Sequence, residues 1–307
     1  MPISSRLPSS SSSRHTLPWL ILIGANILWA TSYVAAKYAL AAMPLPLMLA
    51  LRMCLSGIVL LPFLIARWDS LHLTWRDLPQ LALLSLIGFV VNKMLEFGGL
   101  SLTTASDVAL LITGESIFTS ALSWIVLREH VSRRALGALG LGFFGVYLIV
   151  ERSLLPNLPA NGGIWRIVGD LLVVSALLVE ALYTVRGKAL LTRHSPLLIT
   201  TASIVGSMIF WLPVAGWEFF STGWRMPDMA GWFSVLWLAI PCTCLAYLAW
   251  FQGLTKVKAS AAASTLFIQP LLGPLLGVLL LHEELTPYTI FGGILIIVSV
   301  YLISKQE

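Results

Sequence analysis

Charge is what this sequence has least of. Asp, Glu, Lys and Arg make up 11% of its 307 residues, where a soluble globule carries about a quarter. A chain that is also 58% hydrophobic, with a mean hydropathy of +0.88, cannot cover its own surface with polar groups. It is read as an integral membrane protein. The net charge of +5 then reports loop orientation rather than a nucleic-acid partner. Cysteine is scarce too. Cys54, Cys242 and Cys244 sit in apolar surroundings, which argues against a disulfide framework. Cys242 and Cys244 have no second cluster with which to build a metal site and read as small helix-packing residues. The five histidines (His15, His72, His130, His194 and His282) form no ligand set, and His282-Glu283-Glu284 is not a H-E-x-x-H motif. No phosphate-binding glycine loop is present, and no loop is long enough for a soluble catalytic domain. The reading is therefore of a protein that is not an enzyme, with no cofactor and no bound metal.

Long apolar runs are what the chain does have. About 20 apolar residues span a bilayer as a helix. Ten such segments are read, at 18–40, 45–66, 78–99, 104–127, 134–151, 167–190, 196–216, 230–254, 258–281 and 287–304. Residues 1–17, rich in Ser, read as a disordered cytoplasmic tail. Residues 152–166, with Pro156, Pro159, Gly162 and Gly163, read as a linker between two halves, 18–151 and 167–307.

The halves repeat each other. Residues 97–150 lie over 251–304 without a gap, at an offset fixed by Glu129 and Glu283 (283 − 129 = 154). Leu100/Leu254, Ala105/Ala259, Ser106/Ser260, Leu127/Leu281 and Tyr147/Tyr301 keep the same register. The first helices correspond at an offset of 151: Trp29 with Glu180, Val34 with Val185, Lys37 with Lys188. Five segments per half is odd, so the second half enters the membrane facing the opposite way. The predicted fold is all-α, ten transmembrane helices arranged as two inverted five-helix repeats, an architecture of secondary transporters. With the N-terminus inside, Lys and Arg crowd the inner loops, which puts both termini in the cytoplasm. The basic inner Arg128-Glu129-His130, with Arg133-Arg134, opposes the acidic outer His282-Glu283-Glu284.

A charge at the centre of a membrane helix costs about 2.5–3.5 kcal/mol on insertion scales. Arg52, Lys93, Glu96, Asp107, Glu115 and Glu180 together cost on the order of 15–20 kcal/mol if uncompensated. They must pair, face water or lie near an interface. Glu115 lies mid-helix with Gln269 as its repeat partner, where a site between inverted halves is expected. It could hold a substrate ammonium or a proton, or serve as a hydrogen-bonded structural carboxyl. Glu180 heads a stripe with Tyr183, Thr184 and Gly187 on one helix face, and Asn26, Trp29 and Tyr33 form a similar stripe on helix one. Each stripe fits substrate contact or interhelical hydrogen bonding. Lys93 and Glu96, with Asn92 nearby, fit an internal ion pair or a ligand site. Arg52 suits a carboxylate or a neighbouring carbonyl. Asp107 suits the positive end of helix four. Gly273-x-x-x-Gly277, aligned with Thr119-x-x-x-Ser123, allows close helix approach. Pro241, Pro270 and Pro274 are expected to kink helices near the cavity.

Asn26-Ile27-Leu28-Trp29-Ala30 through Lys37, Arg52, Ala105-Ser106, Arg128-Glu129, Gln269-Pro270 and Glu283-Glu284, with the ten-segment count, resemble the EamA family of the drug/metabolite transporter superfamily. The resemblance runs from about residue 18 to 304. It implies a central cavity lined by helices 1, 3, 4, 6, 8 and 9, alternating access, and export of amino acids or related metabolites. Whole-chain wording is also similar to exporters of opine, nicotianamine-like metallophores.

These readings converge on a bacterial inner-membrane exporter of a small zwitterionic, amino-acid-like metabolite. The coupling candidates for protons are Glu115 and Glu180. The remaining substrate-binding candidates are Gln269, Asn26, Trp29, Tyr33, Tyr183, Lys93, Glu96 and Arg52. Two alternatives stay open: broad drug efflux, and a lipid flippase or accessory subunit of a lipid-modifying complex. The partners expected are a small-molecule substrate and the lipid bilayer, with no nucleic acid, in a monomer or homodimer.

Overall fold

The computed structural model describes residues 12–66, 74–112, 114–115, 118, 133–151, 163–221, 227–257, 262 and 264–304. Helix follows helix: α1 (Ser12–Ala42), α2 (Leu45–Ile65), α3 (Leu78–Leu102), α4 (Ala105–Ile112), α5 (Arg133–Glu151), α6 (Gly163–Leu190), α7 (Pro196–Ser221), α8 (Met229–Leu254), α9 (Ile268–Leu281) and α10 (Pro287–Ser304). No strand occurs among the described residues. Lipid explains the choice, since a helix satisfies its backbone polar groups internally. α1, α2, α3, α6, α7 and α8 are each long and apolar enough to cross a membrane.

Boundaries follow local chemistry. Pro196 and Pro287 open α7 and α10, where the missing N–H costs nothing. Asp228 caps α8, its Oδ1 accepting from the Gly231 amide at 2.8 Å. Past α9, His282 takes a left-handed φ of 54°, the usual way a helix ends in a turn. That turn sends Glu283 back to the start of α4. There its carboxylate accepts from the Ala105 and Ser106 amides at 2.7 and 2.9 Å and from the Ser106 hydroxyl at 2.6 Å.

Two boundaries move relative to the sequence reading. α1 is helical from Ser12, not from residue 18. α6 begins at Gly163, so residues 163–166 belong to the helix and not to a linker. Several readings lie outside the described residues: Thr119 and Ser123, the Arg128-Glu129-His130 loop, the second half of helix four and linker residues 152–162.

The helices pair as an inverted repeat requires. α2 lies on α7, α4 on α9 and α5 on α10, each with its own repeat counterpart. α3 lies on α6, and the equivalent pair, α8 on α1, is also formed. Close approaches obey the same rule. Gly145 of α5 meets Gly292 of α10, where an added Cβ would stand 2.7 Å from the opposing carbonyl oxygen. The equivalent residues are Ser299 and Ala138 (145 + 154 = 299; 292 − 154 = 138), and the Ser299 hydroxyl donates to the Ala138 carbonyl at 2.5 Å.

One departure from regular helix also occurs twice. Ser85–Val91 in α3 and Ile240–Leu245 in α8 are π-helical, and their ends correspond (245 − 91 = 154). Each widened turn interrupts the regular α-helical ladder. Pro241 sits inside the second of these segments.

Candidate functional site

A cavity of about 40 Å³ lies between the halves, room for roughly three waters. Trp29, Ser32 and Tyr33 reach it from α1, Arg52 from α2, and Asn92, Lys93 and Glu96 from α3. Ile112 and Glu115 come from the fourth segment, Glu180 and Thr184 from α6, Tyr247 and Trp250 from α8, and Leu266 and Gln269 from the ninth. Both π-helical segments lie immediately before the residues that α3 and α8 contribute.

The charges are brought together. Lys93 Nζ donates to Glu96 Oε2 at 2.6 Å and stands 3.8 Å from Glu180 Oε2. The internal ion pair read from sequence is therefore present, and it is shared with a third group from the other half. Thr184 and Glu115 both line the cavity, and Glu115 is 8% exposed. Arg52 is 1% exposed. Its Nε donates to the Thr243 hydroxyl at 2.7 Å, and its guanidinium lies 4.7 Å from the centre of the Phe97 ring. Its Nη1 has no hydrogen-bond partner among the described residues.

Facing this ionic cluster is an aromatic one. The Trp29 ring centre is 5.1 Å from that of Tyr247 and 5.4 Å from that of Trp250. The Trp29 indole N–H donates to the Cys242 carbonyl at 3.1 Å. That carbonyl belongs to the π-helical stretch, so the irregular turn supplies the acceptor that fixes the ring. Lys93 Nζ lies 5.5 Å from the centre of the Tyr247 ring, within cation–π range.

The two clusters are repeat equivalents. Carried a few residues upstream, the offset of 154 pairs Lys93 with Tyr247 and Glu96 with Trp250, and the offset of 151 pairs Glu180 with Trp29. The pseudo-twofold thus turns Lys93–Glu96–Glu180 into Tyr247–Trp250–Trp29. Tyr247 and Trp250 were missed in the sequence because an aromatic residue in an apolar run carries no insertion cost.

Not every candidate reaches the cavity. Tyr183 is buried in an aromatic cluster with Phe89, Tyr247 and Phe251. Asn26 lies behind the lining, bonded to the Thr265 hydroxyl at 2.8 Å, while the Gln269 amide donates to its Oδ1 at 2.8 Å. Gln269 in turn accepts from the Tyr33 hydroxyl at 3.0 Å. Asn26 is therefore bonded to Gln269, which in turn meets Tyr33. Cys242 and Cys244 are free and buried and donate to the Leu28 and Ser56 carbonyls.

A second polar network closes the end of the bundle where α3 turns into α4. Asp107 pairs with Arg166 of α6 at 2.5 Å. The Thr103 hydroxyl lies 2.6 Å from Asp170 and 3.2 Å from Asp107, and Lys37 donates to the Thr103 carbonyl. Asp107 lies in the first turn of α4, as its place in the sequence implies, and is also the centre of this network. Asp170, fully buried, was passed over in the sequence, although a carboxylate within an apolar segment was the signal to follow. Outside the spans, Asp77 accepts from the Thr74 hydroxyl at 2.6 Å and amide at 3.0 Å, and lies 3.2 Å from His194 Nε2. These bonds, Thr74's first, pull its carboxyl down to about 2.

The sequence matches the model of the EamA-like transporter family twice, over residues 17–151 and 167–305. An uncharacterized transporter of Archaeoglobus fulgidus is 27% identical over 289 residues, covering 94% of this chain and 99% of that protein. The uncharacterized transporter YetK of Bacillus subtilis is 27% identical over 293 residues, covering 94% and 88%. An S-adenosylmethionine/S-adenosylhomocysteine transporter of Chlamydia trachomatis serovar L2 is 38% identical over 138 residues, which is 44% of this chain and 42% of that protein. A crystal structure 18% identical in sequence superposes with a TM-score of 0.66, covering 95% of this chain and 97% of that one; it shares the fold.

Proposed function

Because the chain belongs to the EamA-like transporter family, and is a membrane transporter rather than an enzyme, we propose that it exports a small zwitterionic, amino-acid-like metabolite by alternating access. One observation carries this reading. A single cavity between inverted halves holds charges of both signs, with Lys93 between Glu96 and Glu180 and with Arg52 and Glu115 beside them. A zwitterion needs both signs; a flat hydrophobic drug needs neither, and desolvating them for it would be costly. Opine-type metallophores, with several carboxylates and amines, fall within the class. So do the amino-acid-ended compounds for which the Chlamydia trachomatis relative is named.

Transport is driven by protons in this proposal. Glu115 faces Glu180 and Thr184 from α6, Lys93 and Glu96 from α3 and Tyr33 from α1. With more carboxylates than cations, the set can hand one carboxylate from proton to substrate as the halves rock. The basic bias of the loops supports a bacterial inner membrane with both termini cytoplasmic.

The test compares metabolites inside and outside cells with and without the protein, then repeats the comparison for Glu115→Gln and Glu180→Gln across a pH gradient. The wild type should deplete one zwitterion from the cells, and at least one variant should lose the response to the gradient. Export that stays equally pH-sensitive in both variants sinks the coupling. An unchanged metabolite pool sinks the substrate class.

A further inference from the structure

We propose that Asp170 binds a proton that locks the end of the bundle where α3 turns into α4, and that losing it passes Arg166 from Asp107 to Asp170 and releases the lock. The proposal rests on the halves alternating access. It depends neither on the substrate class nor on the titration of Glu115 and Glu180.

The surroundings of Asp170 are the first argument. It is 0% exposed, its Oδ1 lies 2.6 Å from the Thr103 hydroxyl, and its Oδ2 has no hydrogen-bond partner among the described residues. The same hydroxyl lies 3.2 Å from Asp107 Oδ2. A hydroxyl carries one proton, so it donates to one carboxylate at a time. The other contact needs a proton from the carboxyl side. An ionised Asp170 would also leave a buried, charged oxygen without a donor, beside a second carboxylate, which is costly. A neutral Asp170 removes both difficulties. Its Oδ1–H donates to Thr103, Thr103 donates to Asp107, and Arg166 completes the chain on Asp107 at 2.5 Å. The bare Oδ2 is then an uncharged carbonyl oxygen.

Arg166 supplies the second argument, because it has two carboxylates within reach. Asp170 lies four residues after it on α6, a spacing at which side chains meet. Its Nη2 holds Asp107 and lies 3.4 Å from the Thr104 hydroxyl, while its Nε has no partner among the described residues. Taking the proton from Asp170 sets two carboxylates against this one guanidinium. The other groups around the network are committed. Lys37 of α1 donates to the Thr103 carbonyl, Glu283 accepts from the Ala105 and Ser106 amides, and Thr289 of α10 lies 3.4 Å from Asp107 Oδ1. The pair with Asp107 ties α6 to α4; a pair with Asp170 stays within α6 and ties nothing.

Sealing supplies the third. The backbones of α3 and α6 meet at Gly99 and Gly169, where a Cβ added to Gly99 would stand 2.5 Å from the Gly169 carbonyl oxygen. That contact is one turn from Thr103 and adjoins Asp170. The proton is therefore shut in while this end is closed and exchanges with water once it opens. The opposite end has no such device. The repeat offsets carry Asp170 to Trp19, Asp107 to Ala261 and Thr103 to Val257 (170 − 151 = 19; 107 + 154 = 261; 103 + 154 = 257). The network is thus not a by-product of the shared scaffold. With the termini in the cytoplasm this end faces outward, and a proton taken up from outside closes it, the sign that proton-for-substrate exchange needs.

Pulsed EPR distances on the full-length protein in lipid nanodiscs test the lock. Nitroxides are placed at Ser101→Cys and Ile164→Cys, exposed positions on α3 and α6 beside the network, with Cys54, Cys242 and Cys244 replaced by Ala. A short distance should dominate at low pH and a longer one should grow as pH rises between about 5 and 9. The ratio of the two should change by up to about tenfold per pH unit, the slope of one proton. Asp170→Asn keeps the neutral shape and should hold the short distance throughout. Arg166→Gln removes the tie and should show the longer distance already at low pH. Melting temperatures separate misfolding from lost switching, and the Arg166 variant keeps the test readable if the Asp170 variant does not fold. A pH response in Asp170→Asn like that of the parent overturns the proposal, as does an Arg166→Gln that stays closed at low pH. So does a parent whose distances ignore pH. If export is still pH-sensitive in that case, the coupling proposed for Glu115 and Glu180 stands without the lock.

Discussion

The cavity has two faces built by the same scaffold and chemically opposed. On one, α3 and α6 bring Lys93, Glu96 and Glu180 together. On the other, the equivalent α8 and α1 bring Tyr247, Trp250 and Trp29 together. Backbone irregularity, helix pairing and depth are shared; the side chains are not. In the transport cycle proposed above, the backbone symmetry would serve the alternation of two states and the side-chain asymmetry would serve recognition. A site with two identical faces would have to bind a substrate with two identical ends.

The strongest way to break the comparison is to remove the cation on the ionic face. Lys93→Met strands Glu96 and Glu180 in a buried site, and breaking a buried ion pair costs about 3–5 kcal/mol. Melting in detergent should show a large drop. Adding Glu96→Gln and Glu180→Gln should restore most of the stability without restoring transport. A single variant that melts like the wild type would mean that the carboxylates do not depend on Lys93.

Smaller effects are expected at the joints between the two faces and the π-helical turn. Thr243→Val removes the partner of the Arg52 Nε, and leaving a buried donor unsatisfied costs about 1–3 kcal/mol. Trp29→Phe keeps an aromatic ring but leaves the Cys242 carbonyl without the indole donor, for about 1–2 kcal/mol. Denaturation midpoints measure both. If Trp29→Phe costs nothing, the aromatic face is held by ring contacts alone.

The smallest effect is a control placed away from both faces. The carboxyl of Asp77 is held at about 2, below its ordinary 3.8, chiefly by Thr74. A depressed acid contributes stability above its unfolded value and loses it as pH falls through the folded one. Wild type and Asp77→Asn should therefore differ at neutral pH and converge between about pH 4 and 2. The pH response of transport near neutrality should be the same in both. A changed transport profile in Asp77→Asn would move the relevant titration away from the cavity.

The sequence made the fold readable because membrane helices announce themselves by length and apolarity, and because Glu283, Tyr301 and their partners fix the repeat. It also exposed the ionic face, since each of Arg52, Lys93, Glu96, Glu115 and Glu180 is conspicuous by its cost in lipid. The aromatic face was hidden for the opposite reason: Tyr247 and Trp250 are cheap there, and only the repeat offset singles them out. Asn26 and Tyr183 shared a helix face with lining residues, but helix contacts made one a hydrogen-bond partner of Gln269 and the other part of a buried ring cluster. The π-helical turns have no residue signature in common. Pro241 marks one, and nothing comparable marks Ser85–Val91.

Those turns also set a phase. An extra residue in a helix rotates everything after it by about 100°, so removing it from only one half would throw that half's lining out of step with the other. Both halves carry the widened turn, ending at matched positions. The two faces can therefore differ in every side chain and still meet across one cavity, because the turn that aims them is the same.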